Sequence, residues 1–479
     1  MATAANGSQE LLSYDDWTFL AEGNAHILLV SSQRSCRDTV LRIPKQVPLD
    51  PASTYDFLVN VALPLLGRQY LFFPRFAQLS PEFVLALQHE LQSCNWDYRR
   101  QWDAYSITSP WMAELLPNCF SPSLISTKLF ASCPVPEVLS VELKVKGGLL
   151  SRSPFLQGSS RIKLLKNRFQ LVHAYKYHLK NKGFDGYKAP SYRPRDLCSG
   201  EISRVQNALL SLLACPGNNI SVRRDGHCIF GEKDGAADDV SRAWFLFLGC
   251  ACLLDTLEAF VQTVSAVLVK ETALNRLMRM QALDVIDCEG CTLIFDRLAL
   301  LCGSKYAALE LLRNSAGDPF PFEISELSDL LYEISPSSSL KCSIDFGVVT
   351  RVLSLSVSAS LPKEELTDRH TAALSLVDSL GVSDCITLLR LWLVSLTAKD
   401  ASLILTLVKE PGERPHSEPS PRILKPSDGN YGEMLAYGCR LKYSLKLVDI
   451  NCKPADKCDS KRETEAHMLS VLSPVFDSI

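Results

Sequence analysis

Between Leu143 and Arg195 the chain carries 13 lysines and arginines against a single acid, Asp185. The whole chain stands at −3, so the segment's +12 is set against −15 elsewhere. A local basic field on an acidic protein points to a compact polyanion held in one place; a long nucleic acid is more often met by a basic domain. An ordinary solvated basic face accounts for the charge equally well.

The 479 residues are enough for two or three modules, or one large α/β domain. An apolar share of 47% with 22% charged residues is that of a globular chain, which excludes wholesale disorder. No apolar run reaches the length of a membrane helix, roughly 18 residues or more. The longest, Ala243 to Leu254, is expected as a core helix. The N-terminus lacks the basic start and apolar stretch of a signal peptide. The 17 cysteines are scattered and odd in number, so reduced thiols in the nucleus or cytoplasm are expected, with the sequons at Asn6 and Asn219 chance matches. There are no internal repeats.

The class expected is α+β. Phe19 to Val30 reads as a hairpin around Glu22-Gly23-Asn24, and Val40 to Ile43 as a short strand halted by Pro44. Tyr55 to Leu66 reads as a helix. Ser80-Pro81-Glu82 opens another, with a cap hydroxyl, a proline at the first helical position and an acid in the first turn. Pro117, Pro122, Pro134 and Pro136 place a lobe boundary near residue 133. Beyond it, Val138 to Val145 alternates as a strand with Glu142 and Lys144 on one face. Arg161 to Lys180 reads as one helix, with Leu171, Val172, Tyr175 and Leu179 on its apolar side, and Ser199 as the cap of a helix running to Ala214. Asp225-Gly226 marks a hairpin turn. Residues 241 to 335 and Cys385 to Leu396 read as helical. Ala401 to Val408 and Leu441 to Asn451 read as strands, and Glu410 to Gly438 as a loop.

Several residues suit phosphoryl transfer, which needs a loop over phosphates, cations, a carboxylate for Mg²⁺ and a group at the acceptor hydroxyl. The glycine of Glu22-Gly23-Asn24 lets backbone N–H groups approach phosphates, though a plain hairpin turn explains it too. Arg42 could reach phosphates or simply sit on an edge strand. Asp400 and Asp449 flank apolar strands, where loops meet ligands; turn chemistry is the rival explanation. Cys288 and Cys291 form a CxxC without a second pair at zinc spacing. Cys250 and Cys252 read as core thiols, and His26 and His173 as structural or surface residues.

Taken in order, these stretches resemble one family, inositol-pentakisphosphate 2-kinase. Its E-I-K-P-K-x-G-[FW] stretch is similar to Glu142-Leu143-Lys144-Val145-Lys146-Gly147-Gly148-Leu149. Its T-A-K-D-C-S block resembles Thr397 to Ser402, and its D-L-x-L-K-P block resembles Asp449 to Pro454. Its P-L-D-L-[FY]-S-G block resembles Pro194 to Gly200, its Q-N-N block Asn218-Asn219, and its L-D-x-x-D-I-E-G block Leu283 to Gly290. Departures stand at Ala21 and Val145, where the family has glycine and proline, and at Ser221, where it has arginine. The plant members' zinc-binding cysteine cluster has no counterpart.

The resemblance implies a two-lobed inositol phosphate kinase-like fold, with a nucleotide lobe at 1–133 and an inositide lobe at 134–479 that carries a helical insert at about 241–335. It implies a kinase that uses ATP and Mg²⁺ to phosphorylate the 2-hydroxyl of inositol 1,3,4,5,6-pentakisphosphate, giving inositol hexakisphosphate (phytate). Glu22, Gly23, Asn24, Arg42, Glu142 and Lys144 then meet the nucleotide, Asp400 acts as base, and Asp449 holds Mg²⁺. Lys144 also serves in catalysis. Arg100, Lys146, Lys180 (or Lys176), Asn218, Asn219, Lys453 and Lys457 hold inositol phosphates. The expected partners are inositol pentakisphosphate and ATP, with no stable nucleic acid, no membrane insertion and a monomeric chain. The alternative is a non-catalytic inositol-polyphosphate scaffold that keeps the fold; a further rival is a kinase acting on another inositol phosphate.

Overall fold

In the computed structural model, which describes residues 12–22, 26–32, 38–45, 50–93, 111–121, 125, 137–184, 187–249, 256–333, 345–410, 420–428 and 431–476, the chain builds an α+β architecture on two antiparallel sheets. The smaller sheet runs in the order β1-β2-β3-β5-β4. Its strands are β1 (Trp17–Glu22), β2 (His26–Ser31), β3 (Thr39–Pro44), β4 (Arg75–Leu79) and β5 (Trp111–Pro117). Glu22 pairs with Ile27, so the chain reverses where the hairpin is expected, while Gly23 and Asn24 lie outside the described residues.

Two helical segments follow different cores. A helix opens at α1 (Pro51–Phe57), capped by the Asp50 carboxylate accepting from Ala52 N–H at 3.1 Å. It widens into a π turn over Leu58–Ala62, then tightens into α2 (Leu63–Leu66). The wide turn has a cause. Pro64 offers no N–H and its ring crowds the preceding turn, so the chain shifts to an i→i−5 bond from Leu63 N–H to Leu58. Phe57, Leu58, Val61, Leu65 and Leu66 bury in the large core with residues from the far end of the chain. By contrast α3 (Pro81–Ser93) covers the small sheet, packing Phe83, Val84, Leu87 and Leu91 against Ile27, Leu29, Leu41 and Ile43. Ser80 Oγ accepts from Phe83 N–H at 3.1 Å, the expected cap.

The larger sheet has the order β10-β11-β12-β9-β6-β7-β8. Its strands are β6 (Val138–Lys144), β7 (Ile220–Arg224), β8 (His227–Phe230), β9 (Ser402–Lys409), β10 (Arg422–Lys425), β11 (Gly432–Ala436) and β12 (Cys439–Val448). Asp225 and Gly226 both take positive φ, 49° and 82°, as a two-residue hairpin turn between β7 and β8 requires. The region expected as a loop, Glu410 to Gly438, instead contributes β10, at the edge of the sheet, and β11 beside it. A strand edge offers free N–H and C=O groups, and even a polar, proline-containing stretch will pair with it. Residues 411–419 lie outside the described residues.

The basic segment is not one helix. A 3₁₀ stretch (Gly158–Leu164) is followed by a break and then α4 (Arg168–Asn181). Asn167 sets the break: its side chain accepts from Gln170 N–H at 3.0 Å, and the Gln170 side chain accepts from Asn167 N–H at 3.1 Å, a reciprocal cap that starts a new helix. Leu171 is buried as expected, but Leu179 is exposed near the helix end. Next come α5 (Pro194–Leu197) and α6 (Ile202–Ala214), whose N-cap is Glu201 rather than Ser199; the Ser199 hydroxyl instead ties the turn between the two.

The helices α7 (Ala237–Leu248), α8 (Thr256–Lys270), α9 (Ala273–Gln281), α10 (Asp287–Leu301), α11 (Lys305–Asn314) and α12 (Ile324–Glu333) occupy the region read as helical. The run expected as a core helix to Leu254 ends at Leu248, because Gly249 takes a left-handed cap at φ 66°. The rest of that run lies outside the described residues. Then follow α13 (Val348–Ser354), α14 (Lys363–Ser379), α15 (Val382–Asp400) and α16 (Lys457–Phe476). α15 is buried almost all round from Cys385 to Ala398, as a helix apolar on every face must be. It runs straight into β9, which is also buried on both faces. No helix of the described residues is long and apolar enough to cross a membrane.

Candidate active site

Three chain junctions meet at the open end of the large sheet: the end of β6, the passage from α15 into β9, and the loop between β12 and α16. Gln281, the last residue of α9, ties two of them together. It is 1% exposed, donates to Val145 O at 3.0 Å and Ala398 O at 3.4 Å, and accepts from Gly148 N–H at 3.4 Å. Gly148 must lack a side chain, since a Cβ there would lie 2.8 Å from Pro194 Cβ.

Asp400 is the last residue of α15. A carboxylate at a helix C-terminus faces the negative end of the helix dipole, so cations must hold it. Lys453 Nζ lies 2.8 Å from Asp400 Oδ2. Burial opposes ionisation, but Lys453, then Lys146 and Lys461, hold the Asp400 carboxyl below the usual carboxylate range. Lys146 is itself pushed down, first by burial, then by Lys144, Lys176 and Lys453, against the pull of Asp400. Lys461 is pushed down to about 8 by burial and by Arg168 and Lys399 beside it. Crowded ammonium groups of this kind gain free energy when phosphate oxygens arrive among them.

On α16, Lys457, Lys461 and Glu465 follow at four-residue spacing and share a face. Lys453 precedes the helix and reaches Asp400 from the loop. Glu465 is buried and pairs with Arg168 and, at 3.1 Å, with Lys163. Lys399 pairs with Asp284. The cluster of cations around Asp400 is thus backed by a second layer of carboxylates.

A second group lies where the small sheet meets the loop after β12. Arg42 on β3 is 6% exposed, and its Nη1 lies 2.8 Å from Glu114 Oε2 on β5. Its Nη2 meets Asp449 Oδ1 at 3.1 Å and His26 Nδ1 at 3.2 Å. Burial, with Arg42, Lys453 and Lys45 nearby, pushes His26 down to about 2, so it stands as a neutral acceptor. Asp449 takes a left-handed conformation, φ 62°, directly after β12, and its side chain is half exposed. No group of three or more His, Cys, Asp or Glu side chains is arranged to hold a metal among the described residues.

At the end of β6, Lys144 Nζ lies 3.5 Å from Glu142 Oε1 and donates to Asn218 Oδ1 at 3.1 Å. Asn219 O accepts from Lys144 N–H at 2.9 Å. The structure therefore gathers Arg42, Glu142, Lys144, Lys146, Asn218, Asn219, Asp400, Asp449, Lys453 and Lys457 at one end of the fold. Lys180 lies exposed near the end of α4, a turn beyond Lys176, the α4 lysine that acts on Lys146. Glu22 ends β1, and Arg100 lies outside the described residues. The CxxC pair is helical and buried in α10.

Sequence reasoning missed Lys461, Lys399, Arg168, Glu114 and Gln281. Lys461 carried a legible signal, four residues beyond Lys457 on a helical face. Gln281 and Glu114 carried only the weak one of a polar residue in an apolar setting.

A family model for inositol-pentakisphosphate 2-kinase matches residues 19–467 of the chain. Among curated relatives, the Oryza sativa subsp. indica protein named inositol-pentakisphosphate 2-kinase IPK1 is 24% identical over 328 residues, covering 67% of this chain and 57% of its own. The inositol-pentakisphosphate 2-kinase of Arabidopsis thaliana is 26% identical over 248 residues, 49% of this chain and 51% of its own. That of Danio rerio is 29% identical over 238 residues, 46% of each chain. The chain thus spans about half the length of the curated relatives it matches.

Proposed function

The chain belongs to the inositol-pentakisphosphate 2-kinase family, and on that premise we propose that it transfers the γ-phosphoryl group of ATP to the 2-hydroxyl of inositol 1,3,4,5,6-pentakisphosphate, giving inositol hexakisphosphate. The observation that carries this reading is Asp400, held ionised among Lys146, Lys453 and Lys461. A ring that bears a phosphate on all but one carbon needs several fixed cations, and one hydroxyl must face a base. This cluster offers both in one place.

In the proposed mechanism Lys146, Lys453, Lys457 and Lys461, with Asn218 and Asn219, hold the ring phosphates. Asp400 orients the 2-hydroxyl and takes its proton as that oxygen attacks the γ-phosphorus in line. The bond from the γ-phosphorus to the β–γ bridging oxygen breaks, and ADP leaves with the electron pair. Arg42, Glu142 and Lys144, with Glu22, Gly23 and Asn24, are assigned to the nucleotide, bound between lobes at 1–133 and 134–479. Asp449 fits Mg²⁺, which takes one or two carboxylates and fills its shell with phosphate oxygens and water. When bound, the ion neutralises charge on the β- and γ-phosphates. We take the protein to act as a monomer in the nucleus or cytoplasm; the free cysteines of the described residues suit a reducing compartment.

Phosphorus NMR tests the reading. With Mg-ATP and inositol 1,3,4,5,6-pentakisphosphate, the wild type yields inositol hexakisphosphate. Asp400→Asn yields at most about a hundredth as much in the same time while still binding the inositide. Tight inositide binding by the wild type without any product would point to the scaffold instead.

A further inference from the structure

Glu114 takes no part in the resemblance; its side chain holds Arg42, assigned to the nucleotide, and Asn451. It is 2% exposed, and both its oxygens are used. Oε2 holds Arg42 Nη1 at 2.8 Å, and Oε1 accepts from Asn451 Nδ2 at 3.1 Å. Arg42 and Glu114 face each other in register on β3 and β5. Asn451 stands two residues after Asp449 and two before Lys453, and its own carbonyl accepts from Thr397 Oγ1 at 3.1 Å, three residues before Asp400. One buried carboxylate therefore spans the junction between the small sheet and the loop that carries Asp449 and Lys453.

We infer that Glu114 is a positioning residue that sets the nucleotide-facing cation of the small lobe in register with the carboxylate and phosphate-binding loop of the large lobe. The inference rests on the kinase reading. The geometry explains why a carboxylate stands there. Arg42 has five N–H donors, of which Glu114, Asp449 and His26 engage only part, so the guanidinium keeps donors beyond those that hold it in place. Without Glu114 the guanidinium would keep only Asp449 and the neutral His26 as partners. A charge-assisted bond at each end fixes both the rotamer of Arg42 and the path of the loop.

The experiment measures turnover and Mg-ATP binding for the wild type, Glu114→Gln and Asn451→Ala. Gln keeps the shape but gives up the charge that anchors Arg42. It should raise the KM for ATP about tenfold, the scale of one weakened charge-assisted contact, and lower kcat, with the KM for the inositide unchanged. Asn451→Ala keeps the buried Arg42–Glu114 pair and cuts only the link across the junction; it should shift the KM for ATP in the same direction by about threefold. A purely structural role would lower the amount of active protein, and so kcat, while leaving both KM values alone. That pattern overturns the inference, as does Mg-ATP binding equal to wild type in both variants, while the kinase reading survives. A wild type that neither binds Mg-ATP nor turns over removes both.

Discussion

Lys163→Met is the perturbation whose cost the structure defines best. Lys163 is 5% exposed, with Asp287 Oδ1 at 2.9 Å, Glu289 Oε1 at 2.9 Å and Glu465 Oε1 at 3.1 Å from its ammonium. These residues join the 3₁₀ stretch, the start of α10 and the middle of α16. Met keeps most of the volume, so the cavity contribution is small and the charge dominates. Removing one partner of a buried ion cluster costs about 3–5 kcal/mol. The cost should depend on pH in a defined direction. Burial and Asp287 push the Glu289 carboxyl up to about 7, against the pull of Lys163. A carboxyl raised in the folded state binds more protons there than in the unfolded chain, so it favours the folded state below its ordinary range and costs stability as pH rises through the window up to about 7. Removing Lys163 lifts that carboxyl further and widens the window upward. The variant should therefore lose its full 3–5 kcal/mol only on the alkaline side of neutrality, and regain part of it on the acid side as Glu289 takes a proton. Urea denaturation followed by tryptophan fluorescence, at pH values on both sides of 7, measures this. A loss under about 1 kcal/mol that is flat with pH would refute the claim that these carboxylates depend on Lys163.

Three further outcomes are expected. Asp400→Asn should lower kcat by about 10²-fold or more, the usual weight of a general base, with the inositide affinity within a few-fold of wild type by calorimetry. Inositide affinity should fall as pH rises through about 8, where Lys461 loses its proton, and Lys461→Gln should flatten that profile; an unchanged slope in the variant would remove Lys461 from the binding set. Gln281→Leu strands the carbonyls of Val145 and Ala398 and the N–H of Gly148. It should cost about 1–3 kcal/mol in denaturation and lower kcat, because the Lys146 and Asp400 junctions lose their common tie; stability equal to wild type would show that those groups find other partners.

Much of this fold was legible because its signals are local. The alternation in Val138 to Val145, the Asp225-Gly226 turn and the Ser80-Pro81-Glu82 cap each depend on residues within a few positions, and each element formed as expected. The misreadings share a different cause. The helix of Arg161 to Lys180 breaks at Asn167 because a reciprocal cap outweighs propensity over three residues. The segment after Glu410 pairs as β10 and β11 because β12 offers it an edge, which lies outside any local window. Of the three lysines that converge on Asp400, only Lys146 belongs to the basic segment visible as a charge count; Lys453 and Lys461 lie far along the chain from it.

The sequence alone determined the class of elements, the concentration of basic residues between Leu143 and Arg195, and the ordered blocks that mark the family. Those depend on residue type and spacing, which the chain carries with it. Tertiary structure decided which charges meet. Arg42 and Asp449 lie 407 positions apart, and Lys163 and Glu465 lie about 300 apart. Only the packing of α15 and β9 through the centre, with β6 and β12 beside them, brings Lys146, Asp400 and Lys453 to the same end of one sheet. An ion pair depends on distance and burial, and neither quantity exists until the chain has folded.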